Sequence, residues 1–150
     1  MGCIFSILVV ALAIVLMMNI PDSQKYEPEL VAHKIVATGE DVAYITANTF
    51  QKANVYLNLD GNLVYATKVV IECYKEVVGK YFKPTITSAN DSEHTVNSKH
   101  YSNKAVDFRI KDVPREDREL LYNRIKQKLP DFTVLWEDVG TDNEHLHIQY

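Results

Sequence analysis

Cysteine is scarce in this chain. Cys3 and Cys73 are the only two, one of them inside an apolar leader, so they build no disulfide framework and reveal nothing of the redox compartment. An excess of positive charge is also missing. Sixteen Lys+Arg against twenty Asp+Glu leave a formal charge of −4. That argues against a nucleic-acid partner, because neutralising phosphates needs a basic face. There is no internal repeat and no low-complexity tract. Charged residues at 24% and a hydrophobic class at 47% exclude a disordered or fibrous chain. A length of 150 residues suits one domain and leaves no room for a second large core.

Charge is absent altogether from Cys3 to Ile20. Eighteen residues at helical rise span ~27 Å, enough for a thin or tilted hydrocarbon crossing. An apolar run at the extreme N-terminus reads as a membrane anchor over residues 1–21 rather than a buried core helix. A cleaved signal peptide is the rival. Against it, the terminal amine is the only positive charge before the run, and Ala11 and Ala13 lie inside the run rather than after it. Met1-Gly2-Cys3-Ile4-Phe5-Ser6 also fits the N-myristoylation pattern, relevant only in a eukaryotic cytosol. Pro21-Asp22-Ser23 ends the helix. The soluble domain, residues 27–150, is expected outside the cytoplasm, tethered through residues 3–20, or secreted if the leader is removed.

Within that domain Pro28–Val36 has a short helical pattern, while Asp41–Leu59 mixes Ala, Asn and Gln with aromatics and indicates no single element. After the turn signal Asp60-Gly61-Asn62, Leu63, Ala66, Val69, Val70, Cys73, Tyr74, Val77 and Val78 recur at helical spacing. The pattern predicts a helix of about five turns ending near Gly79. Thr85–Ser88 reads as a strand, Ala89–Asn103 as a polar loop, and Ala105–Ile110 as an alternating strand. Pro114 suits a first helical turn, with Arg115–Leu129 as the body and Leu120, Leu121, Ile125 and Leu129 as its buried face. Phe132–Trp136 and His145–Tyr150 are strands either side of the turn Val139-Gly140-Thr141-Asp142. The class expected is α+β, a small antiparallel sheet flanked by helices.

Four of the five histidines, His94, His100, His145 and His147, fall late in the chain. Imidazole and carboxylate are ligands for a borderline-soft cation such as zinc. His100 with Asp107 seven residues on, and His147 from the last strand, make a two-His, one-Asp set that leaves a fourth tetrahedral position for water. Such an ion lowers the water's pKa toward neutrality, and Glu144, three residues before His147, is the candidate base. Asp107 would be an odd residue in an apolar strand unless a partner held it. The bland reading is a set of unrelated surface histidines, and His33 is read as structural. The charged residues from Lys111 to Lys128 read as a solvated helix face. Tyr101, Tyr122 and Tyr150 are packing or rim residues, and Phe132 and Trp136 fill the core beneath the site.

Ser98-x-His100-x-x-Asn103-x-Ala105-x-Asp107 resembles the Ser-x-His-x-x-Gly-x-Ala-x-Asp signature of the zinc D-alanyl-D-alanine carboxypeptidases. That family also holds L-alanyl-D-glutamate endopeptidases of phage endolysins and the vancomycin-resistance D,D-peptidases. Glu144-His145-Leu146-His147-Ile148 is similar to its second signature, and Thr87-Ser88-Ala89 to the Thr-Ser-Gly before the first. The resemblance covers residues 84–150. It implies that His100, Asp107 and His147 bind Zn2+, that Glu144 is the catalytic base, and that Ser98 and His145 flank the site. It further implies a Hedgehog/DD-peptidase-like fold and, as substrate, peptide bonds in peptidoglycan stem peptides.

Three departures stand out. Asn103 replaces the family's glycine, a tolerable change in a positive-φ turn. Ala89 replaces a second glycine. Asn90-Asp91 stands where many members carry an aromatic residue and the arginine that stabilises the oxyanion, which leaves Arg109 and His94 as substitutes. The expected activity is therefore that of a zinc metallopeptidase, a hydrolase of cell-wall peptides acting as carboxypeptidase or endopeptidase. A non-catalytic binding or virion-structural module retaining the fold and metal site is the alternative, and a metal-stabilised, membrane-tethered receptor domain a third. Glu144 discriminates, since only a hydrolase needs a carboxylate there.

Overall fold

The computed structural model describes residues 38–91, 94 and 96–150, all within a unit spanning Lys34–Tyr150. The apolar run 3–20, Cys3, the Pro28–Val36 pattern and His33 lie outside the described residues. Among the described residues no helix is long and apolar enough to cross a membrane.

The stretch that the sequence left undetermined opens with helix α1, Gly39–Asn48. Thr38 starts it with a reciprocal cap: its hydroxyl accepts from Asp41 N at 3.2 Å, and the Asp41 carboxylate accepts from Thr38 N at 3.1 Å. The two-residue strand β1, Phe50–Gln51, follows. Helix α2, Gly61–Val77, is capped by the Asp60 carboxylate on Asn62 N at 2.9 Å. It buries Leu63, Ala66, Val70, Cys73 and Tyr74 of the face expected, with Val69, Val77 and Val78 only half-buried against the core, and Cys73 is a buried free thiol. Strand β2 is Thr85–Ser88, and a 3₁₀ turn at Lys99–Ser102 interrupts the polar loop before β3, Ala105–Arg109.

Pro114 leads into a 3₁₀ turn, Arg115–Asp117, before α3 begins at Arg118 and runs to Lys128. Leu121, Ile125 and Leu129 are buried at a four-residue repeat, but Leu120 is 59% exposed, which corrects the expected buried face. One residue is a rotation of about 100° on a helix, and that carries Leu120 off the stripe. Strands β4, Thr133–Glu137, and β5, His145–Gln149, complete the chain.

The result is α+β, with a five-stranded sheet in the order β1-β2-β3-β5-β4. Strands β2 to β5 pair antiparallel as expected, whereas β1 lies parallel to β2, so the sheet is mixed. Helix α2 packs against β3 and α3 against β4. The buried cluster they share with the sheet includes Val106, Phe108, Leu146, Ile148 and Ile86. Phe132 and Trp136 are half-buried at its margin. Alternate residues of β3 and β5 point the other way, and that opposite face carries the polar groups. The β2–β3 register shifts between Ile86 and Ser88. The irregularity lets Ile86 sit beside Phe108 while Ser88 comes level with Asp107.

Candidate metal centre

Strands β3 and β5 are in register so that Asp107 lies opposite His147 and Arg109 opposite His145. Opposed residues share a face, so these four project together from the side away from the core. His100 reaches the same place from the 3₁₀ turn. Ser98 caps that turn, its hydroxyl accepting from His100 N at 3.3 Å. Asn103 closes it in the left-handed region, φ +65°, and its N–H donates to the His100 carbonyl at 3.1 Å. Asparagine thus does there what a glycine would do, at small steric cost.

The three side chains converge. His147 Nδ1 stands 2.8 Å, and His100 Nε2 3.3 Å, from Asp107 Oδ1. All three residues are buried, at 2 to 8% exposure, and one donor atom from each lies within 4.8 Å of the others. The outer nitrogens are held as well. His100 Nδ1 meets the Ala89 carbonyl at 2.6 Å, and His147 Nε2 meets Gln149 Oε1 at 3.0 Å. A carbonyl only accepts, so Nδ1 of His100 is the donor there, which leaves Nε2 as the atom that turns to Asp107 or to a cation. Gln149 does the same for His147 from two residues further along the strand.

A cation with bonds of about 2.0 Å to tetrahedral donors sets those donors ~3.3 Å apart. The separations found, 2.8 and 3.3 Å, are close to that edge, and the buried His100–Asp107–His147 group could hold a metal ion. Without one, burial pushes the Asp107 carboxyl up, but hydrogen bonds and charge from His100 and His147 outweigh it and bring it to about 2. Burial pushes the His147 imidazole down. Its bonds to Asp107 and Gln149 prevail and raise it above the usual value.

The group opens on a cavity of about 740 Å3. His94 and His145 line it. The His94 ring stacks on His100 at 4.0 Å, and its Nε2 is 2.7 Å from the Asp91 carbonyl and 3.3 Å from the Ser88 hydroxyl. Tyr101, otherwise an exposed rim residue, braces the His94 backbone through its hydroxyl. His145 Nε2 lies 3.2 Å from Glu137 Oε2 and 3.8 Å from Asp107 Oδ2, with Nδ1 on the Asn143 carbonyl at 2.7 Å.

Glu144 and Arg109 are placed differently. Both line an adjoining, smaller cavity rather than the one into which the three donors face. The Glu144 carboxylate is buried and accepts from Arg118 Nη1 and from Trp136 Nε1, each at 3.0 Å. Arg118 also donates to the carbonyls of Val113 and Lys111. Reading Lys111–Lys128 as a wholly solvated face therefore fails at Arg118, whose side chain is only 17% exposed. Sequence reasoning missed Gln149, Glu137, and the Arg118–Glu144–Trp136 link. Gln149 was within reach, because a strand's period of two puts it on the face of His147. The other contacts depend on tertiary placement. Comparison with protein-family models, characterised proteins and solved structures returned no match for this chain.

Proposed function

We propose that this protein is a zinc-dependent peptidase of the D-alanyl-D-alanine carboxypeptidase and L-alanyl-D-glutamate endopeptidase type, with a Hedgehog/DD-peptidase-like fold. Its substrates are peptide bonds in peptidoglycan stem peptides. The observation that carries the reading is the convergence of His100 Nε2, His147 Nδ1 and Asp107 Oδ1 beside an open cavity, with both outer nitrogens already held. Orienting partners of that kind accompany histidines that ligate metals. The signature residues Ser98, His100, Asp107, Glu144 and His147 are all present in family order.

His100, Asp107 and His147 would hold the ion. Zinc in such a site polarises a carbonyl and brings the pKa of water near neutral. Glu144 would take the proton of a water and deliver it to the leaving amine, for which its carboxylate has to turn from Arg118 and Trp136 toward the three donors. Each of its oxygens keeps a lone pair beyond the bonds to Arg118 and Trp136. His94 and His145, on the cavity wall, stand where a donor can meet developing charge on the carbonyl oxygen. Residues 3–20 would anchor the domain to the membrane, with the catalytic part outside the cytoplasm.

One observation favours a second reading, a metal-retaining binding or virion-structural module without turnover: both oxygens of Glu144 are already engaged. Purified protein incubated with peptidoglycan, with zinc or with chelator, and mass analysis of released fragments decide between the two. The hydrolase releases fragments only with zinc, and Glu144→Gln keeps its metal while losing turnover. Zinc-loaded, folded wild type that releases nothing leaves the binding module.

A further inference from the structure

Strand β5 carries histidines at two successive positions of its polar face, His145 and His147. Each has a carboxylate across from it, and the two carboxylates come from opposite sides of the strand. Asp107 stands opposite His147 on β3, and Glu137 stands opposite His145 on β4. All four side chains line the cavity of about 740 Å3.

The group of His100, Asp107 and His147 uses only half of the aspartate. Asp107 Oδ1 meets both of those imidazoles, whereas Oδ2 accepts no hydrogen bond among the described residues and lies 3.8 Å from His145 Nε2. Glu137 Oε2 comes to 3.2 Å from the same nitrogen. The other ring nitrogen of His145, Nδ1, meets the Asn143 carbonyl at 2.7 Å. Nδ1 is therefore the donor there, and Nε2 is the atom left to the two carboxylates. His100 is held in the same way, by a backbone carbonyl on Nδ1 with Nε2 toward a carboxylate. Anionic oxygens gathered around one ring nitrogen call for a positive charge among them. Lys52 and Lys99 also line the cavity, but among the described residues the ion pairs of Asp107 and Glu137 run only to histidines. Arg109, opposite His145 on β3, lines the adjoining hollow instead.

We propose that His145 Nε2, the Glu137 carboxylate and Asp107 Oδ2 form a second divalent-cation site, which shares Asp107 with the first. Paired sites hold their ions about 3.5–4 Å apart, a span that one carboxylate covers with an oxygen on each ion. One imidazole and two carboxylates make a harder donor set than that of the first site, and one that suits Zn2+ or Mn2+. Among the described residues only His100, Asp107 and His147 are already drawn together as a single group. Glu137, with its side chain 41% exposed, has room to turn toward Asp107 and complete the second set. A ligand that must first be ordered, and a like charge close by, make the second ion the weaker one. The pair rests on the metal centre and goes beyond peptide hydrolysis, which it does not require.

The test is equilibrium dialysis of the full chain against Zn2+ alone, with bound metal measured by atomic absorption. Electron paramagnetic resonance of the chain loaded with Co2+ instead then reports how close the ions are. One equivalent binds tightly and a second follows at higher concentration. His145→Asn and Glu137→Gln each weaken the second by about tenfold or more and leave the first in place, while Asp107→Asn loses both. Glu137→Gln conserves shape at a half-exposed side chain, so the fold survives it. Two cobalt ions on one carboxylate couple, and the signal per ion falls as the second enters. A plateau at one equivalent leaves a proton on His145 in place of the ion and overturns the second site. So does a second equivalent that persists in both variants, or a pair of cobalt ions with independent signals. Two equivalents without release of peptidoglycan fragments keep the paired site and remove the peptidase. Fragment release by protein that never takes up a second equivalent does the reverse.

Discussion

The two faces of the central sheet are built from the same strands and hold by different physics. On one face Val106, Phe108, Leu146 and Ile148 have no solvent exposure and pack against helices. There the gain is area removed from water, in proportion to how much is buried and without regard to direction. On the other, Asp107 and His147 are nearly as buried, at 8% each. They tolerate burial only because donors and acceptors are matched atom by atom. The first face is expected to accept changes that conserve volume, the second only changes that conserve hydrogen bonding.

That contrast can be broken from the apolar side first. Phe108→Ala is expected to cost about 3–5 kcal/mol, the range for truncating a buried phenylalanine, read as a lower urea midpoint. Protein that remains folded should still bind one equivalent of metal. A drop in stoichiometry would mean that the faces are not separable.

Acid probes the polar face with a smaller effect. The folded Asp107 carboxyl, at about 2, lies below its ordinary value of 3.8. Its contribution is therefore complete above about pH 4 and is lost as pH falls toward 2, a change of about 2 kcal/mol. His147 is raised, so its contribution is complete below the ordinary histidine value and fades as pH rises through the folded one. Chelator-treated protein should then be most stable between about pH 4 and 6, and urea melts across pH 2–8 would show it. Asp107→Asn should flatten the acid limb. An unchanged limb would assign it to other carboxylates.

Gln149→Ala sharpens the comparison most finely. It removes only the acceptor on His147 Nε2, and loss of such an orienting partner lowers metal affinity by about tenfold or more, ~1.4 kcal/mol. Competition against a chromogenic chelator would measure it, with the urea midpoint almost unmoved.

Much of this was legible in the chain. The apolar spacing from Leu63 to Tyr74 placed α2, the alternation at Ala105–Arg109 placed β3, and four of the five strands fell where turn residues bound them. Strand β1 escaped because two residues show no period, and its parallel pairing is a long-range contact with Thr85 and Ile86. Leu120 was misjudged because the buried stripe repeats every four residues through Leu121, Ile125 and Leu129, and Leu120 lies one residue, about 100°, off it. Two histidines and an aspartate could be picked out by type and order, and the structure brings those three together. Spacing alone does not bring Glu144 to them. In an extended strand the side chain three residues before His147 leaves by the opposite face, and here it meets Arg118 and Trp136.

Taken alone, the residue order determined what is local: helix and strand periods, the caps at Asp60 and Ser98, the left-handed asparagine at 103, and the donor types available to a cation. Register, bulge and packing settled the remainder. They set Asp107 level with His147, tied the Glu144 carboxylate to Arg118 and Trp136, and placed Arg109 at a neighbouring cavity. Such relations join residues far apart in the sequence, as His147 lies 40 positions from Asp107. They arise because burying one face of a sheet obliges every second side chain to emerge together on the other.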